Sequence, residues 1–223
     1  AAEQQGFDFV LSMMKFKGFG GETRYWDACL ESFTLMAGLA AATKSITLVP
    51  TIALLAQHPA YVARIVSTLD DISQQRCAVN IVTGWNQPEY SQMGLWKGDA
   101  YYNQRYEYAT EYVDILQQLW LTGTVTHDSH YFNLTDCSCL PMPKRHIPII
   151  SAGQSPKGVD FVARKADQNF VMASPRRLKD ISSAVKAKGA SLGREVGTYA
   201  LFTLIAESTD DLPLGPGDAQ QLG

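Results

Sequence analysis

The chain alternates short apolar runs rich in β-formers with amphipathic helical stretches, and this alternation limits the folds open to it. The predicted strands cover residues 7–13, 46–51, 78–82, 147–150, 169–172 and 199–206. The predicted helices cover residues 30–42, 59–72, 105–120, 156–166 and 178–188. Nearly continuous apolar strands that alternate with helices are typical of a parallel sheet covered by helices. The sequence therefore predicts an α/β fold.

Two parallel architectures satisfy this alternation, a doubly wound open sheet and a (β/α)₈ barrel. The dinucleotide-binding form of the open sheet carries a G-x-G-x-x-G turn after its first strand. The glycine-rich run here, residues 18–21 (GFGG), has a different spacing. A complete barrel usually needs about 250 residues, whereas this 223-residue chain has only about six predicted strands. We therefore expect one incomplete barrel domain over residues 1–223, with the first strand and the last units missing.

Two segments depart from the alternation. Residues 122–146 are rich in aromatic residues, His and Pro, and they are expected to form an irregular insertion. Residues 212–223 (LPLGPGDAQQLG) have no periodicity, and they are expected to be a disordered or non-native tail. Because absent barrel units would supply part of a substrate pocket, an inactive truncated form is an open alternative.

Composition excludes several classes of partner. A net charge of −3 without basic runs argues against nucleic acid or a charged membrane surface. No apolar run approaches the roughly 20 residues that a membrane span needs, and the first residues lack the features of a secretion signal. We expect a cytoplasmic protein. The four cysteines and four histidines lack the spacing of metal ligands, so no metal site is predicted.

Functional side chains follow the predicted strands at the ends where a barrel carries its chemistry. These residues are Met13, Met14, Lys15, Thr51, Asn80, Trp85, Glu89 and Ser155. Each has a structural alternative: Asn80 could be a satisfied core amide, Lys15 a solvated loop cation and Trp85 a packing residue. Their convergence on one rim favours function, because buried polar groups need partners.

The segment Ser151 to Ser155 (SAGQS) precedes a predicted helix and has the features of an anion cradle. Small residues let the backbone approach, and a helix N-terminus favours negative charge. Arg105 and Tyr106 could add a guanidinium and a phenol to the same phosphate, or could be a surface pair. No nucleophile with a neighbouring base is evident, which indicates a cofactor that brings its own reactivity.

The chain resembles the bacterial-luciferase-like flavin monooxygenases in GFDFVLSMMKFKGFGG, ESFTLMAGLAAAT, NIVTGWNQPEYSQMG, QRYEYATEYVDILQQLW and ISAGQS. Within that superfamily these segments are most similar to the pyrimidine monooxygenases, and the resemblance runs from about residue 6 to 210. It implies a TIM barrel that uses O₂ and reduced FMN, supplied by a separate NAD(P)H-dependent flavin reductase. The implied reaction opens the uracil or thymine ring oxidatively to a ureidoacrylate-type product.

The resemblance also implies roles for the matching residues. The implied catalytic residues are Thr51, Asn80 and Lys15. The implied FMN-binding residues are Met14, Lys15, Asn80, Glu89, Arg105, Tyr106 and Ser155. The implied substrate-binding residues are Met13, Lys15, Trp85 and Glu89.

The chemistry of these side chains is compatible with the implied catalytic and binding roles. Thr51 and Asn80 can donate hydrogen bonds to an anion that develops as oxygen is activated. Lys15 can polarise a ring carbonyl, Glu89 can accept a ring N–H, and Trp85 can exclude water.

Other functions remain open from the sequence. A related two-component monooxygenase could act on a sulfone, a sulfonate or an aromatic compound. A sulfonate site would need several arginines on the rim, whereas Lys15 and Glu89 suit a neutral amide ring better. A flavin-binding barrel without oxygenase activity and a non-catalytic fragment are the remaining alternatives, and a homo-oligomer is compatible with all of them.

Overall fold

The computed structural model describes residues 1–202, in which short parallel strands follow one another around a curved sheet. The strands are β1 Phe9–Leu11, β2 Thr47–Val49, β3 Thr51–Ala53, β4 Val79–Val82, β5 Thr124–Asp128, β6 Asn133–Ser138, β7 Ile149–Ser151, β8 Gln168–Val171 and β9 Gly197–Ala200. The helices are α1 Ser32–Ala42, α2 Pro59–Ile72, α3 Gln87–Ser91, α4 Gly98–Thr122, α5 Pro156–Lys165 and α6 Pro175–Ser191, after a short 3₁₀ turn at Glu3–Gln5.

All strands of the main sheet run parallel. β1 pairs with β2, and a second ladder has the order β3–β4–β7–β8–β9. Pro50, which has no N–H to donate, separates β2 from β3 within the single strand that the sequence predicted. A bridge between Leu48 and Cys77 joins β2 to the run that leads into β4, so the two ladders form one sheet.

The sheet curls until its two edges approach each other. The rings of Phe9 on β1 and Tyr199 on β9 lie 5.0 Å apart between centroids. Both rings belong to a small apolar cluster inside the curl, with Leu11, Val49, Ala78, Ile150 and Phe170. Within residues 1–202, no backbone pairing joins β1 to β9. The described residues therefore form an open barrel with a filled interior.

The main hydrophobic core lies outside the curl, between the sheet and its helices. Strand residues that alternate with the interior ones face this core, among them Leu48, Ile52, Ile81 and Ile149. They pack against the apolar faces of the helices, including Met36, Val62, Val66, Tyr112, Leu116, Val162 and Val185. Because successive side chains of a strand point to opposite faces, the same short strands contribute to both the interior cluster and the main core.

Side-chain caps mark the start of three of the six helices within residues 1–202, namely α1, α2 and α5. Pro59 is the first residue of α2, as predicted, and the His58 ring accepts a hydrogen bond from the Ala60 N–H. The sequence predicted no helix between the strand at 78–82 and the helix at 105–120, and this is wrong in two places: α3 lies in that range, and α4 begins at Gly98. Aromatic contacts between Trp96, Tyr101 and Tyr108 extend α4 toward its N-terminus.

The predicted irregular insertion at residues 122–146 contains an antiparallel hairpin whose register shifts between Val125 and His127. β5 and β6 pair with each other, and Val125, Phe132 and Leu134 are buried. Because polar and small residues flank these apolar positions, the two-residue alternation is weak in the sequence. The predicted tail at residues 212–223 and the end of the predicted strand 199–206 lie outside the described residues.

Three arginines join the chain segments at the N-terminal end of the strands. Arg76 donates hydrogen bonds to backbone or side-chain oxygens of Ala40, Thr43, Ile46 and Ser73. Arg194 donates to the Ala163 and Ala166 carbonyls at the end of α5, and Arg145 donates to the Gln75 and Cys77 carbonyls. These guanidinium groups satisfy carbonyls that helix ends and strand starts leave without partners. Across residues 1–202, no helix combines the length and apolar character that a bilayer span requires.

Candidate functional site

Thr51 and Asn80 lie side by side near the C-terminal mouth of the open barrel. They are register partners on β3 and β4, and Asn80 is also level with Ile150, an interior residue of β7. The Asn80 Nδ2 donates to the Thr51 Oγ1 at 2.9 Å. Only 1% of Thr51 and 5% of Asn80 is exposed. The structure thus brings together two predicted site residues that are far apart in sequence.

The hydrogen bonds around Thr51 fix the direction in which each group donates. The Thr51 hydroxyl donates to the Ser12 carbonyl at 2.6 Å while it accepts from Asn80. The sequence predicted that Thr51 donates to a developing anion. To do so, the Thr51 hydroxyl would first have to give up its hydrogen bond to the Ser12 carbonyl. Asn80 keeps one N–H uncommitted, and among residues 1–202 its buried Oδ1 has no partner. Because an unpartnered buried acceptor is costly, this oxygen is available to a ligand or a water molecule.

Lys15 and Glu89 form a buried ion pair at the same end of the barrel. The Lys15 Nζ lies 2.7 Å from the Glu89 Oε2, and these side chains are 7% and 6% exposed. The other carboxylate oxygen accepts a hydrogen bond from the Phe16 N–H at 2.8 Å. The Lys15 Nζ also lies 4.7 Å from the Phe19 ring centroid and 5.7 Å from that of Trp85. Lys15 and Glu89, which were both predicted to contact a ligand, therefore bind each other. The rings of Phe19 and Trp85 flank the Lys15 cation.

The loop that follows β4 packs tightly behind this ion pair. Gly84 has a φ of +74°, and a Cβ there would meet the Tyr90 ring at 2.9 Å. Burial, with a smaller contribution from the Glu89 charge, raises the pKa of the Tyr90 phenol. Tyr90 therefore stays neutral and acts as a packing surface. Trp85 projects from the loop and is 62% exposed, so it can cover a ligand at the mouth.

Met13 and Met14 point to different surroundings. Met13 is 37% exposed. Met14 lines a largely apolar groove of about 750 Å³ along α1 and α2, together with Phe16, Tyr61 and Ile65. The predicted contact of Met14 with flavin stays a prediction.

The predicted anion cradle has a close-packed backbone. The Ser155 hydroxyl caps α5 by accepting a hydrogen bond from the Gly158 N–H at 3.1 Å. A Cβ at Gly153 would lie 2.3 Å from the Gly158 carbonyl oxygen, and one at Gly158 would lie 2.6 Å from the Tyr106 hydroxyl. Tyr106 and Ser155 therefore both lie against Gly158 in the first turn of α5, where only glycine fits.

Asn169 holds the cradle in place and was not identified from the sequence. This fully buried residue of β8 accepts from the Gly153 N–H and donates to the Gly153 carbonyl, both at 3.2 Å. An asparagine at the start of an apolar run, just before Phe170 and Val171, was the one signal that could have indicated it.

Cations lie on the α4 side of the cradle. The Arg105 guanidinium carbon lies 4.1 Å from the Tyr102 ring centroid and 4.9 Å from that of Tyr106. Lys157, which the sequence analysis missed, donates to the Asn103 carbonyl at 3.2 Å and so joins α5 to α4. A helix N-terminus with two neighbouring cations and glycine-only backbone can hold a phosphate.

The donor set fits a phosphorylated planar cofactor better than a metal ion. The cradle offers close-packed glycine backbone at the start of a helix, and Asn80 offers an acceptor that has no partner among residues 1–202. No group of three or more His, Cys, Asp or Glu side chains within residues 1–202 is placed to hold a metal.

Comparison with known proteins identifies relatives over most of the chain. The model of the luciferase-like monooxygenase family matches residues 1–212. Pyrimidine monooxygenase RutA of Cronobacter sakazakii is 50% identical over 214 residues, which cover 94% of this chain and 63% of that protein. RutA of Escherichia coli is 48% identical, with 94% and 56% of the two chains covered. The chain thus spans about 60% of the length of these relatives, and the predicted similarity to pyrimidine monooxygenases is confirmed.

Solved structures with the same fold are more distant in sequence. EDTA monooxygenase of Chelativorans sp. BNC1 superposes with a TM-score of 0.78 at 17% identity, covering 89% of this chain and 52% of its own. A long-chain alkane monooxygenase superposes with the same TM-score of 0.78 at 22% identity, covering 89% and 54%. These likenesses confirm the predicted luciferase-like barrel, of which residues 1–202 form an open part. The chain belongs to the luciferase-like monooxygenase family.

Proposed function

We propose that this protein takes part in the flavin-dependent oxidative opening of a pyrimidine ring such as uracil or thymine. The buried Asn80 Oδ1, which has no partner in the part of the chain that the structure describes, is the observation that carries this proposal. An imide N–H, which the flavin ring and uracil both contain, can donate to this oxygen. The identity of about 50% to pyrimidine monooxygenases supports uracil or thymine as the substrate.

Reduced FMN would be held by the cradle and its neighbours. The backbone around Gly153, the Ser155 cap and the start of α5 would bind its phosphate, with Arg105 and Tyr106 adding a cation and a phenol. When bound, FMN supplies the electrons that let O₂ react with the substrate. A separate NAD(P)H-dependent flavin reductase would supply the reduced form.

The side chains at the mouth would orient the pyrimidine and exclude water. Lys15 would stabilise negative charge on a ring carbonyl oxygen, and Glu89 would hold Lys15 in position through the 2.7 Å ion pair. Phe19 and Trp85 would cover the same region and keep water from the reacting atoms. Asn80 would offer its uncommitted N–H to an oxygen anion.

The proposal also covers the cellular location of the protein and its self-association. We place the reaction in the cytoplasm, where reductases regenerate reduced flavin. We also propose self-association, which the apolar groove along α1 and α2 supports. Its rim includes the side chain of Tyr61, 66% exposed, and that of Ile72, 50% exposed.

Enlarging the cradle glycine is expected to weaken FMN binding. In Gly153→Ala the new Cβ would meet the backbone oxygen of Gly158, which cannot move aside as a side chain could. We expect the Kd for FMN to rise by at least about tenfold, which corresponds to about 1.4 kcal/mol. Fluorescence quenching of FMN measures this. The matched control is Gly38→Ala on α1, where a Cβ meets no atom within 4 Å. Equal affinities in the two folded variants would contradict the assignment of the cradle.

Substrate turnover tests the whole proposal. The purified protein is combined with FMN, a flavin reductase, NADH and uracil under air, and the mixture is analysed by chromatography. We expect consumption of uracil and formation of a ureidoacrylate-type product. Bound flavin together with consumption of a sulfone and intact uracil would show that the substrate assignment is wrong.

A further inference from the structure

Ser32 occupies a position in the sheet that a backbone hydrogen bond would ordinarily fill. The ladder between β1 and β2 ends at Leu11 and Val49, where the Ser12 N–H donates to the Val49 carbonyl at 3.1 Å. In a regular parallel ladder, the next bond would run from the Thr51 N–H to the Ser12 carbonyl, because each residue bonds to both neighbours of its partner. Here the Thr51 N–H donates to the Ser32 Oγ at 2.8 Å instead.

The Ser32 hydroxyl completes the connection by donating to the Ser12 carbonyl at 3.1 Å. One side-chain oxygen is thus inserted between two strands that a direct N–H···O bond of about 2.9 Å would otherwise join. The same Ser12 carbonyl also accepts from the Thr51 hydroxyl at 2.6 Å, and that hydroxyl accepts from Asn80. The inserted oxygen therefore separates the strands where Thr51 turns its hydroxyl toward β1.

Both the environment and the helix fix this arrangement. Ser32 is fully buried and Ser12 is 8% exposed, so water does not compete for these bonds. Ser32 is the first residue of α1, and the Glu31 carboxylate caps that helix by accepting from the Phe33 and Thr34 N–H groups at 3.0 and 2.6 Å. The cap holds the start of α1 so that the Ser32 hydroxyl faces the sheet.

We propose that Ser32 is a positioning residue that sets the place of Thr51 and Asn80 at the barrel mouth by holding β1 and β3 apart. Its importance for turnover rests on the proposed function, whereas its effect on the two side chains does not. Without the hydroxyl, the Thr51 N–H either loses its partner or draws toward the Ser12 carbonyl. Either change moves the Thr51 hydroxyl away from the Asn80 amide.

Amide hydrogen exchange in the flavin-free protein tests the positioning directly. In ¹⁵N-labelled Ser32→Ala, we expect exchange of the Thr51 backbone amide and the Asn80 side-chain amide to quicken by about tenfold, as the loss of a buried hydrogen bond implies. The matched control is Ser67→Ala on α2, a buried serine whose hydroxyl donates to the Ala63 carbonyl. It should leave both rates unchanged. Ser32→Thr, which keeps the hydroxyl, should return both toward the parent values.

A second measurement follows product formed per NADH consumed in the assay with FMN and uracil. We expect this ratio to fall in Ser32→Ala and to recover in Ser32→Thr. Exchange rates in Ser32→Ala within about twofold of the parent would overturn the proposal. If Ser32→Ala does not fold, Ser32→Cys keeps the volume with a much weaker donor, and the same criterion applies. Altered exchange in a protein whose parent leaves uracil intact would sink the proposed function and leave the positioning role standing.

Discussion

Asn80→Ala is expected to oxidise NADH without forming the ring-opened product. The substitution removes an N–H and a buried acceptor that have no partner among the described residues and so can meet a ligand or an oxygen anion. Loss of one such donor typically lowers a rate by about 10²–10³-fold. FMN binding should remain measurable, because the cradle around Gly153 and Ser155 lies on other strands and loops. Electrons would then reach O₂ without reaching the substrate.

Three quantities separate this outcome from simple inactivation: NADH oxidation, O₂ uptake and ring-opened product. Asn80→Asp provides a second variant, since it keeps the shape of the side chain but removes the donor to Thr51. We expect it to uncouple turnover as Asn80→Ala does. Asn133→Ala is the control, because that exposed amide on β6 bonds only to Asp128 of the same hairpin within the described chain. Normal coupling in Asn80→Ala would remove this residue from the oxygen site.

Glu89→Ala is expected to produce a large loss of stability. It leaves the Lys15 ammonium, 7% exposed, without its carboxylate, and it leaves the Phe16 N–H without its acceptor. Breaking a buried ion pair by removing one partner usually costs about 3–5 kcal/mol. Urea unfolding should detect this change in the free energy of unfolding. The control is Asp114→Ala, whose pair with Lys165 has a 48% exposed carboxylate, and where a change below about 1 kcal/mol is expected.

The double variant Lys15→Met/Glu89→Leu separates stability from chemistry. Replacing a buried ion pair with apolar residues of similar size is often neutral or stabilising. We therefore expect the double variant to recover most of the stability lost in Glu89→Ala while uracil turnover stays at background. Turnover near the parent level would show that Lys15 is not needed for the reaction. Stability as low as that of Glu89→Ala would show that the loss arises from packing in the loop and not from the unpaired charge.

The regular parts of the fold could be predicted because they depend on local periodicity. The sequence predicted the start of α2 at Pro59 and the start of α5 after the run Ser151 to Ser155. Each of these starts combines a helix-start residue with an apolar pattern. Placing Thr51 near Asn80 required only the rule that parallel strands end at the same edge.

Side-chain partners could not be predicted in the same way. Lys15 and Glu89 are 74 positions apart, and no periodicity shows that each would be the other's partner. The insertion of the Ser32 hydroxyl depends on the Glu31 cap and on the approach of Ser12 to Thr51, so two separate features had to coincide. Sequence patterns indicate which residues reach the mouth, and tertiary packing decides what each one contacts there.

The arginines Arg76, Arg145 and Arg194 bind backbone carbonyls at the end of the strands opposite the site. The guanidinium network and the candidate site therefore lie at opposite ends of the barrel. Substitutions around the mouth can change which compound is accepted without disturbing the guanidinium network that secures the opposite pole. Directed evolution of this protein should therefore begin with exposed positions of the loops after β1 and β4, such as Trp85, and should leave the buried Lys15–Glu89 pair intact.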